Sequence, residues 1–309
     1  MSNVRRDRGG PEGILLIDKP QGWTSHDVVA KLRGITGQRR IGHTGTLDPM
    51  ATGLLVVCHG KATRLVEYMV GHDKRYEGEI VLGVTTDTDD TEGTPIATSP
   101  LPTLSAATMR MLESRFSGDI AQRPPAFSAV QVGGERAYAA ARRGAPMDLP
   151  PRSVSVHSLS LSALAADRLG ITVHCGPGTY IRSLARDIGH ELGSGGHLAR
   201  LRRTTAGRFR LDEAWTLAEV ERAVASKTLE TLLLPADEGM LDHAAAIVTG
   251  ASATSLGHGA AIPVETREAC PVVRVFDAEG TFVGVGGIDT EGWLTPKKVL
   301  STAESEPGV

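Results

Sequence analysis

The 309-residue sequence has only three cysteines, Cys58, Cys175 and Cys270, each more than ninety positions from the next. There is no Cys-x-x-Cys pair, and each thiol sits in or beside an apolar segment. Buried free thiols in a reducing compartment are expected. No apolar run approaches the ~20 residues of a membrane span. The first twelve residues are polar and charged, without the apolar stretch of a signal peptide. These absences point to a cytoplasmic protein. Positive charge is not in excess either. The net charge is −3, so the chain as a whole does not announce a nucleic-acid binder. Any basic footprint must be local, as at Arg39-Arg40, Lys74-Arg75, Arg142-Arg143 and the run Arg200, Arg202, Arg203, Arg208 and Arg210. Each of these alone reads as a solvated face. Aromatics make up only 4% of the chain, so every Tyr and Trp is worth placing.

Motifs for bound ions and nucleotides are missing as well. Gly60-Lys61-Ala62-Thr63 lacks the glycine five positions earlier that a phosphate loop needs, and Lys61 is not followed by Ser or Thr. His190-Glu191 is not a zinc helix motif, because position 194 is Ser. The acidic stretch 85–93 lacks the spacing of a calcium loop and reads as a turn-rich connection.

An apolar content of 40% is enough for a sizeable core in one large domain or two. Residues 1–12 read as a disordered tail. Residues 13–20 read as a short buried strand. Thr24 or Ser25 caps a helix carrying Val28, Val29 and Leu32 that stops near Gly34 or Gly37. Leu54 to Cys58 is a buried strand or a helix start. A helix over 61–70 precedes a strand at 74–83, where Tyr76 shares a face with Ile80 and Leu82. Thr103 caps a helix through Phe116. Residues 122–152 form a polar, basic excursion bounded by prolines, as expected of an insertion that grips a partner. Strands at 153–161 and 169–175 lead through Gly176-Pro177-Gly178 into a helix whose buried face is Ile181, Leu184, Ala185 and Ile188, with Thr179 as its cap. Thr216 and Glu219 form a capping box. From about residue 243 the chain is Gly-rich and β-like, with a hairpin over 272–285.

The stretch from Arg39 to Gly53 has neither helical nor strand period. It contains one carboxylate, Asp48, between apolar segments, which is the arrangement of a working loop held by rigid elements. An isolated Asp-Pro would merely start a turn. The full string Gly42-His43-Thr44-Gly45-Thr46-Leu47-Asp48-Pro49-Met50-Ala51-Thr52-Gly53 resembles the signature loop of the TruB-type tRNA pseudouridine synthases. Five further segments resemble that family in the same order: Asp18 to Ser25, the Lys-x-Tyr context of Tyr76, the acidic stretch 85–93, Gly178 to Leu184, and Leu198 to Arg203.

The resemblance implies an α+β fold with a mixed, mostly antiparallel central sheet flanked by helices, and a small C-terminal β-rich, PUA-like barrel. It implies a catalytic domain over 13–240, with 122–152 as an RNA-gripping insertion, and an RNA-binding domain over 243–309. The implied reaction is isomerisation of uridine to pseudouridine in the T-loop of tRNA, at position 55. Asp48 is then the catalytic carboxylate, Arg182 its partner, and Tyr76 the ring on which the flipped base stacks and a candidate to take a proton from the ribose. His43, Tyr180, Leu201, Arg142, Arg143 and Arg202 would contact substrate. Breaking N1–C1′ and forming C5–C1′ changes neither redox state nor proton count, so no cofactor and no metal is expected. A carboxylate in a pocket closed to water needs an arginine beside it to remain charged. A monomer with no obligatory protein partner is expected. Two other readings stay open: a non-catalytic RNA-binding or RNA-folding module, and a guide-RNA-dependent pseudouridine synthase.

Overall fold

The computed structural model describes residues 10–301. The first half contains strands β1 (Gly13–Lys19), β2 (Ile41–His43), β3 (Thr52–His59), β4 (Lys74–Leu82), β5 (Val84–Thr86), β6 (Pro95–Thr98) and β7 (Gly118–Gln122). Helices α1 (Ser25–Thr36), α2 (Val66–Met69) and α3 (Ala106–Arg115) connect them. A small hairpin, β8 (Gln131–Val132) and β9 (Glu135–Arg136), leads to α4 (Ala137–Arg142). Then come β10 (Arg152–Ala165), β11 (Arg168–Cys175), α5 (Ile181–Glu191), β12 (Gly196–Ala206), β13 (Phe209–Arg210) and α6 (Leu217–Ala225).

One sheet runs β1-β3-β12-β4-β11-β10-β7, with β2 on β3 and β13 on β12. Every pair is antiparallel except β3 with β12, which run parallel at Thr52 and Gly53. That exception lies where the Asp48 loop rejoins the sheet. Gly53 has φ +95°, and a Cβ there would stand 2.4 Å from the Arg203 carbonyl oxygen. Only glycine allows this approach.

The apolar run of β3 is a strand because both faces of the sheet are covered at this point. Leu55 and Val57 pack with Val28, Leu32 and Val220 of α1 and α6. Leu54, Val56 and Cys58 pack on the other side with Leu65, Met69 and Phe209. A third cluster joins Tyr76, Ile80, Val173 and Leu201 to Ile181, Leu184 and Ile188, the buried face of α5. Full burial of each large side chain contributes about 1.5–3 kcal/mol.

The C-terminal part has β14 (Ala245–Ile247), α7 (Gly250–Gly257), β15 (Ile262–Pro263), β16 (Cys270–Phe276), β17 (Phe282–Ile288) and β18 (Trp293–Val299). They form a five-stranded sheet ordered β14-β16-β17-β18-β15. The expected hairpin is β16–β17. Val285 and Leu300 join the cluster around Leu54 and Met69. Arg274 pairs with Asp237 at 3.0 Å, and Lys298 with Glu67 at 2.7 Å.

Several local expectations need correcting. The cap of α3 is Ser105 rather than Thr103, because the Ser105 hydroxyl accepts from the Thr108 N–H. Thr179 does not cap α5; its hydroxyl donates to the Gly176 carbonyl inside the turn, and Tyr180 occupies the cap position. Residues 61–70 split into a 3₁₀ turn at Gly60–Leu65 and the four-residue α2. Of the tail, residues 1–9 lie outside the described residues, while residues 11 and 12 are held. His59 Nδ1 donates to the Pro11 carbonyl at 2.6 Å, and Glu12 lies 3.8 Å from Lys61. Cys58 and Cys175 are buried, but Cys270 is only half-buried. Thr24, by contrast, caps α1 in a complete box with Asp27, and Thr216 and Glu219 do the same for α6.

Candidate active site

The Asp48 loop leaves β2 and turns where the Ala51 N–H donates to the Asp48 carbonyl. Lys19, at the end of β1, holds it from below. Its ammonium is fully buried and donates to the carbonyls of Pro20, Trp23 and Pro49 at 3.0, 2.6 and 3.3 Å. Burial lowers its pKa to about 8, opposed by the charge of Asp48. Lys19 therefore acts as a structural cation. Its partners are carbonyls, not the carboxylate that a lysine at a strand end usually finds.

Arg182 reaches Asp48 from the first turn of α5. Nε donates to Oδ2 at 2.9 Å and Nη2 to Oδ1 at 3.1 Å, a bidentate pair. The same guanidinium donates to the carbonyls of Thr88 at 3.0 Å and Phe127 at 2.9 Å. Asp90 Oδ2 lies 3.6 Å from Nε. Arg182 is 5% exposed, although its helix position alone suggested solvent. The Asp48 side chain is 34% exposed, so the pair is open on one side, not sealed from water.

Asp90 comes from the acidic stretch 85–93, which the sequence presented as a turn-rich connection similar to the family's, with no role at the site. Its Oδ1 accepts from the Thr88 hydroxyl at 2.6 Å and the Glu92 N–H at 3.0 Å. Asp89 beside it adopts φ 61°, a left-handed conformation unusual for a non-glycine residue. It pairs with Arg186 of α5 at 2.8 Å. No carboxylate neighbours Asp48 in sequence; the fold brings one from forty-two positions away.

Tyr76 lies beside this pair in the cluster with Leu47, Met50 and Leu201. Burial raises the pKa of its hydroxyl, which keeps it a neutral phenol at pH 7. The positive charge of nearby Arg203 works against that rise. Arg203 is itself 2% exposed and donates to the carbonyls of Leu54 at 2.6 Å and Gly45 at 3.1 Å. One side chain beside Tyr76 thus ties β3 to the Asp48 loop. Sequence reasoning passed over Arg203 in favour of Arg202. Alternation along β12 could have separated the two, because neighbours point to opposite faces. Arg202 is committed to Asp18 at 2.8 Å and to the Thr52 hydroxyl at 3.3 Å.

His43 is half-buried beside His26, with ring centroids 5.6 Å apart. Burial, then His26 and Arg203, lower its pKa to about 4, so the ring is neutral at pH 7. Its Nδ1 is buried with no hydrogen-bond partner among the described residues. Tyr180 is clamped through its backbone, which exchanges two hydrogen bonds with the Gln122 side chain at 2.8 and 3.1 Å. The Arg152 guanidinium lies 4.9 Å from its ring centroid.

Arg142 and Arg143 are remote from Asp48 in the chain, on the exposed end of α4. Arg143 already pairs with Glu135, and Arg142 lies over the Tyr138 ring. The base of this excursion is laced to the site helix. The Arg123 carbonyl accepts from Ser183 and Arg186 of α5, each at 2.9 Å, while its guanidinium pairs with Asp148. The Phe127 carbonyl on Arg182 belongs to the same segment.

Comparisons with known proteins identify the family of the chain. Residues 33–181 match the model of the TruB family pseudouridylate synthase N-terminal domain. Residues 182–241 match the tRNA pseudouridylate synthase B C-terminal domain, and 244–300 the C-terminal domain of pseudouridine synthase II TruB. The chain is 42% identical over 292 residues to a tRNA pseudouridine synthase B of Xanthomonas campestris pv. campestris, covering 94% of each chain. It is 41% identical to one of Arthrobacter sp. (strain FB24), covering 96% of this chain and 99% of the other. Its fold resembles that of a chain in a Cbf5-Nop10-Gar1 complex, with a TM-score of 0.73 at 24% identity, covering 94% of this chain and 86% of that one. Among the described residues, no helix is long and apolar enough to cross a membrane.

Proposed function

The chain belongs to the TruB family of pseudouridylate synthases, and from that premise we propose that it converts uridine to pseudouridine in the T-loop of tRNA, at position 55. The observation that carries this reading is the bidentate Asp48–Arg182 pair beside Tyr76, open to solvent on one side. A pure RNA binder has no need of a buried guanidinium oriented by four hydrogen bonds onto one carboxylate.

In this reading the target uridine is flipped out of the folded loop, at a cost of a few kcal/mol. It stacks on Tyr76 over Leu201, and stacking contributes ~1–3 kcal/mol. Asp48 acts where N1–C1′ breaks, either as nucleophile at C1′ or by assisting an elimination from the ribose. Arg182 fixes the orientation of the carboxylate. The base detaches, turns and rejoins C1′ through C5; the C5 proton leaves to solvent and N1 takes one up, so the proton count is unchanged. A neutral Tyr76 suits stacking. As a base it would have to give up a proton that burial makes harder to lose. His43, with a neutral ring and a free Nδ1, suits the gap left by the flipped base. Tyr180, held by Gln122, lines the same side. Residues 13–240 would form the catalytic unit, 122–152 its RNA-gripping excursion, and 243–309 an RNA-binding unit, of which 302–309 lie outside the described residues. RNA recognition would be by loop shape and backbone contacts.

Tritium release from [5-³H]uridine-labelled tRNA transcript tests this, using the isolated chain without guide RNA, metal or nucleotide. Release by wild type but not by Asp48→Asn is expected. Absence of release by wild type with tRNA still bound would favour the binding module or the guide-dependent branch.

A further inference from the structure

Away from Asp48, three side chains from distant parts of the chain converge on the opposite face of the sheet. Asp73 lies in the turn before β4, His157 on β10 and His174 on β11. Asp73 Oδ2 is 3.1 Å from His157 Nε2 and 3.7 Å from His174 Nε2. The two rings are 4.7 Å apart, and one ligand atom from each residue lies within 4.8 Å of the others. We propose that Asp73, His157 and His174 form a divalent transition-metal site of the kind that zinc fills.

Geometry, backbone and ligand chemistry support this. Ligands bonded to zinc at about 2.0–2.2 Å stand roughly 3.3 Å from one another, and the two Asp–His separations bracket that value. The three ligand atoms all lie within 4.8 Å of one another. His157 is presented by a β-bulge. The register steps from Val156↔Cys175 to Ser158↔His174, which leaves His157 without a ladder partner. A bulge re-aims a side chain in this way. His174 alternates with Val173 and Cys175, which face the Tyr76 cluster, and so points away from it. The carbonyl of Asp73 accepts from the Gly207 N–H at 2.8 Å, which fixes the backbone of the carboxylate ligand.

The donor set of two imidazoles and a carboxylate suits zinc and its neighbours. Arg75 is the opposing cation on this face, and the Asp73 carboxylate offsets it. Neighbouring Lys74 is already bonded to the carbonyls of Val70 and His72. His157 and Asp73 are 41% and 46% exposed, so water can complete the shell. An ion here would tie the turn leading into the Tyr76 strand to β10 and β11. That is a structural role, separate from the isomerisation. The donors stand at positions 73, 157 and 174, so no spacing motif could reveal them.

The test is titration of tag-free, chelator-treated full-length protein with Zn²⁺ by calorimetry, and with Co²⁺ by visible absorption. One ion per chain is expected, with Co²⁺ ligand-field bands and a raised thermal midpoint. His157→Ala and Asp73→Asn should each weaken binding at least about tenfold while retaining the wild-type circular dichroism. His157 is exposed, so its variant will fold. Absence of saturable binding by wild type, or equal affinity in wild type and both variants, would overturn the proposal and leave a plain Asp–His ion pair.

Discussion

Replacing Arg182 with lysine keeps the positive charge beside Asp48 and removes the planar fork. The guanidinium makes four hydrogen bonds: two to Asp48 and one each to the carbonyls of Thr88 and Phe127. A lysine ammonium is a point donor on a flexible stem and cannot span these three partners in one plane. Loss of about two charge-assisted bonds, at ~1.5–3 kcal/mol each, amounts to ~3–6 kcal/mol. Part of this appears as lost stability, because the carbonyls of Thr88 and Phe127 lose a partner. The part that orients Asp48 appears in the reaction barrier, at tenfold in rate for each ~1.4 kcal/mol. Arg182→Lys should therefore lower kcat at least ~100-fold, with KM changed only a few-fold. Its urea midpoint should fall modestly, with circular dichroism intact. Tritium release under saturating and sub-saturating tRNA separates the two constants. A kcat within about threefold of wild type, a difference under 1 kcal/mol, would refute the idea that bidentate orientation matters.

Other outcomes follow from the same geometry. Asp90→Ala removes the acceptor for Thr88 and Glu92 and should lower kcat ~10–100-fold, at ~1–3 kcal/mol, with tRNA affinity in filter binding nearly unchanged; an unchanged kcat would make the stretch 85–93 a mere connection. The folded pKa of His43, about 4, lies below its unfolded value of 6.5. The unfolded chain thus binds the extra proton, and this contribution to stability is lost as pH falls from 6.5 toward 4. Between pH 7 and 5 the wild type should lose about 2 kcal/mol more than His43→Gln in urea unfolding; parallel curves would show that the ring is not desolvated. Since Glu135 already neutralises Arg143, Arg142→Glu should weaken tRNA binding more than Arg143→Glu, with a shallower salt dependence; equal affinity of both variants and wild type would count against the excursion's role in RNA binding.

The Asp48 loop, the Arg182 helix, the Tyr76 strand and the capping boxes of α1 and α6 were legible because each is local. Turn residues, apolar period and caps are written within a few positions of one another. Burial states were not. A lone Arg182 on the first turn of a helix looks solvated, and only the acidic stretch and the 122–152 segment, folded against it, make it a buried donor. Asp90, Arg203 and Gln122 were missed for the same reason, since the partners that place them at the site are 58 to 158 positions away. Where Arg202 and Arg203 stand side by side, the pleat decides. One faces Asp18 near solvent, the other Tyr76 inside; Arg203, two positions from core Leu201, shares its face, but only once the strand is recognised.

The sequence by itself determined the chemistry available: one loop aspartate, one arginine after a Gly-Thr-Tyr turn, one strand tyrosine, and a chain apolar enough to bury a sheet. It also determined the α+β order of elements, since short-range period and turn chemistry act over neighbouring residues. Tertiary structure decided which further groups join the Asp48–Arg182 pair that the resemblance implied. Arg182 is shared among Asp48, Asp90 and two carbonyls, Lys19 is spent on carbonyls under the loop, and the ends of the basic excursion are tied to the site helix. Pairing of this kind depends on distances across the fold, which a linear sequence does not contain.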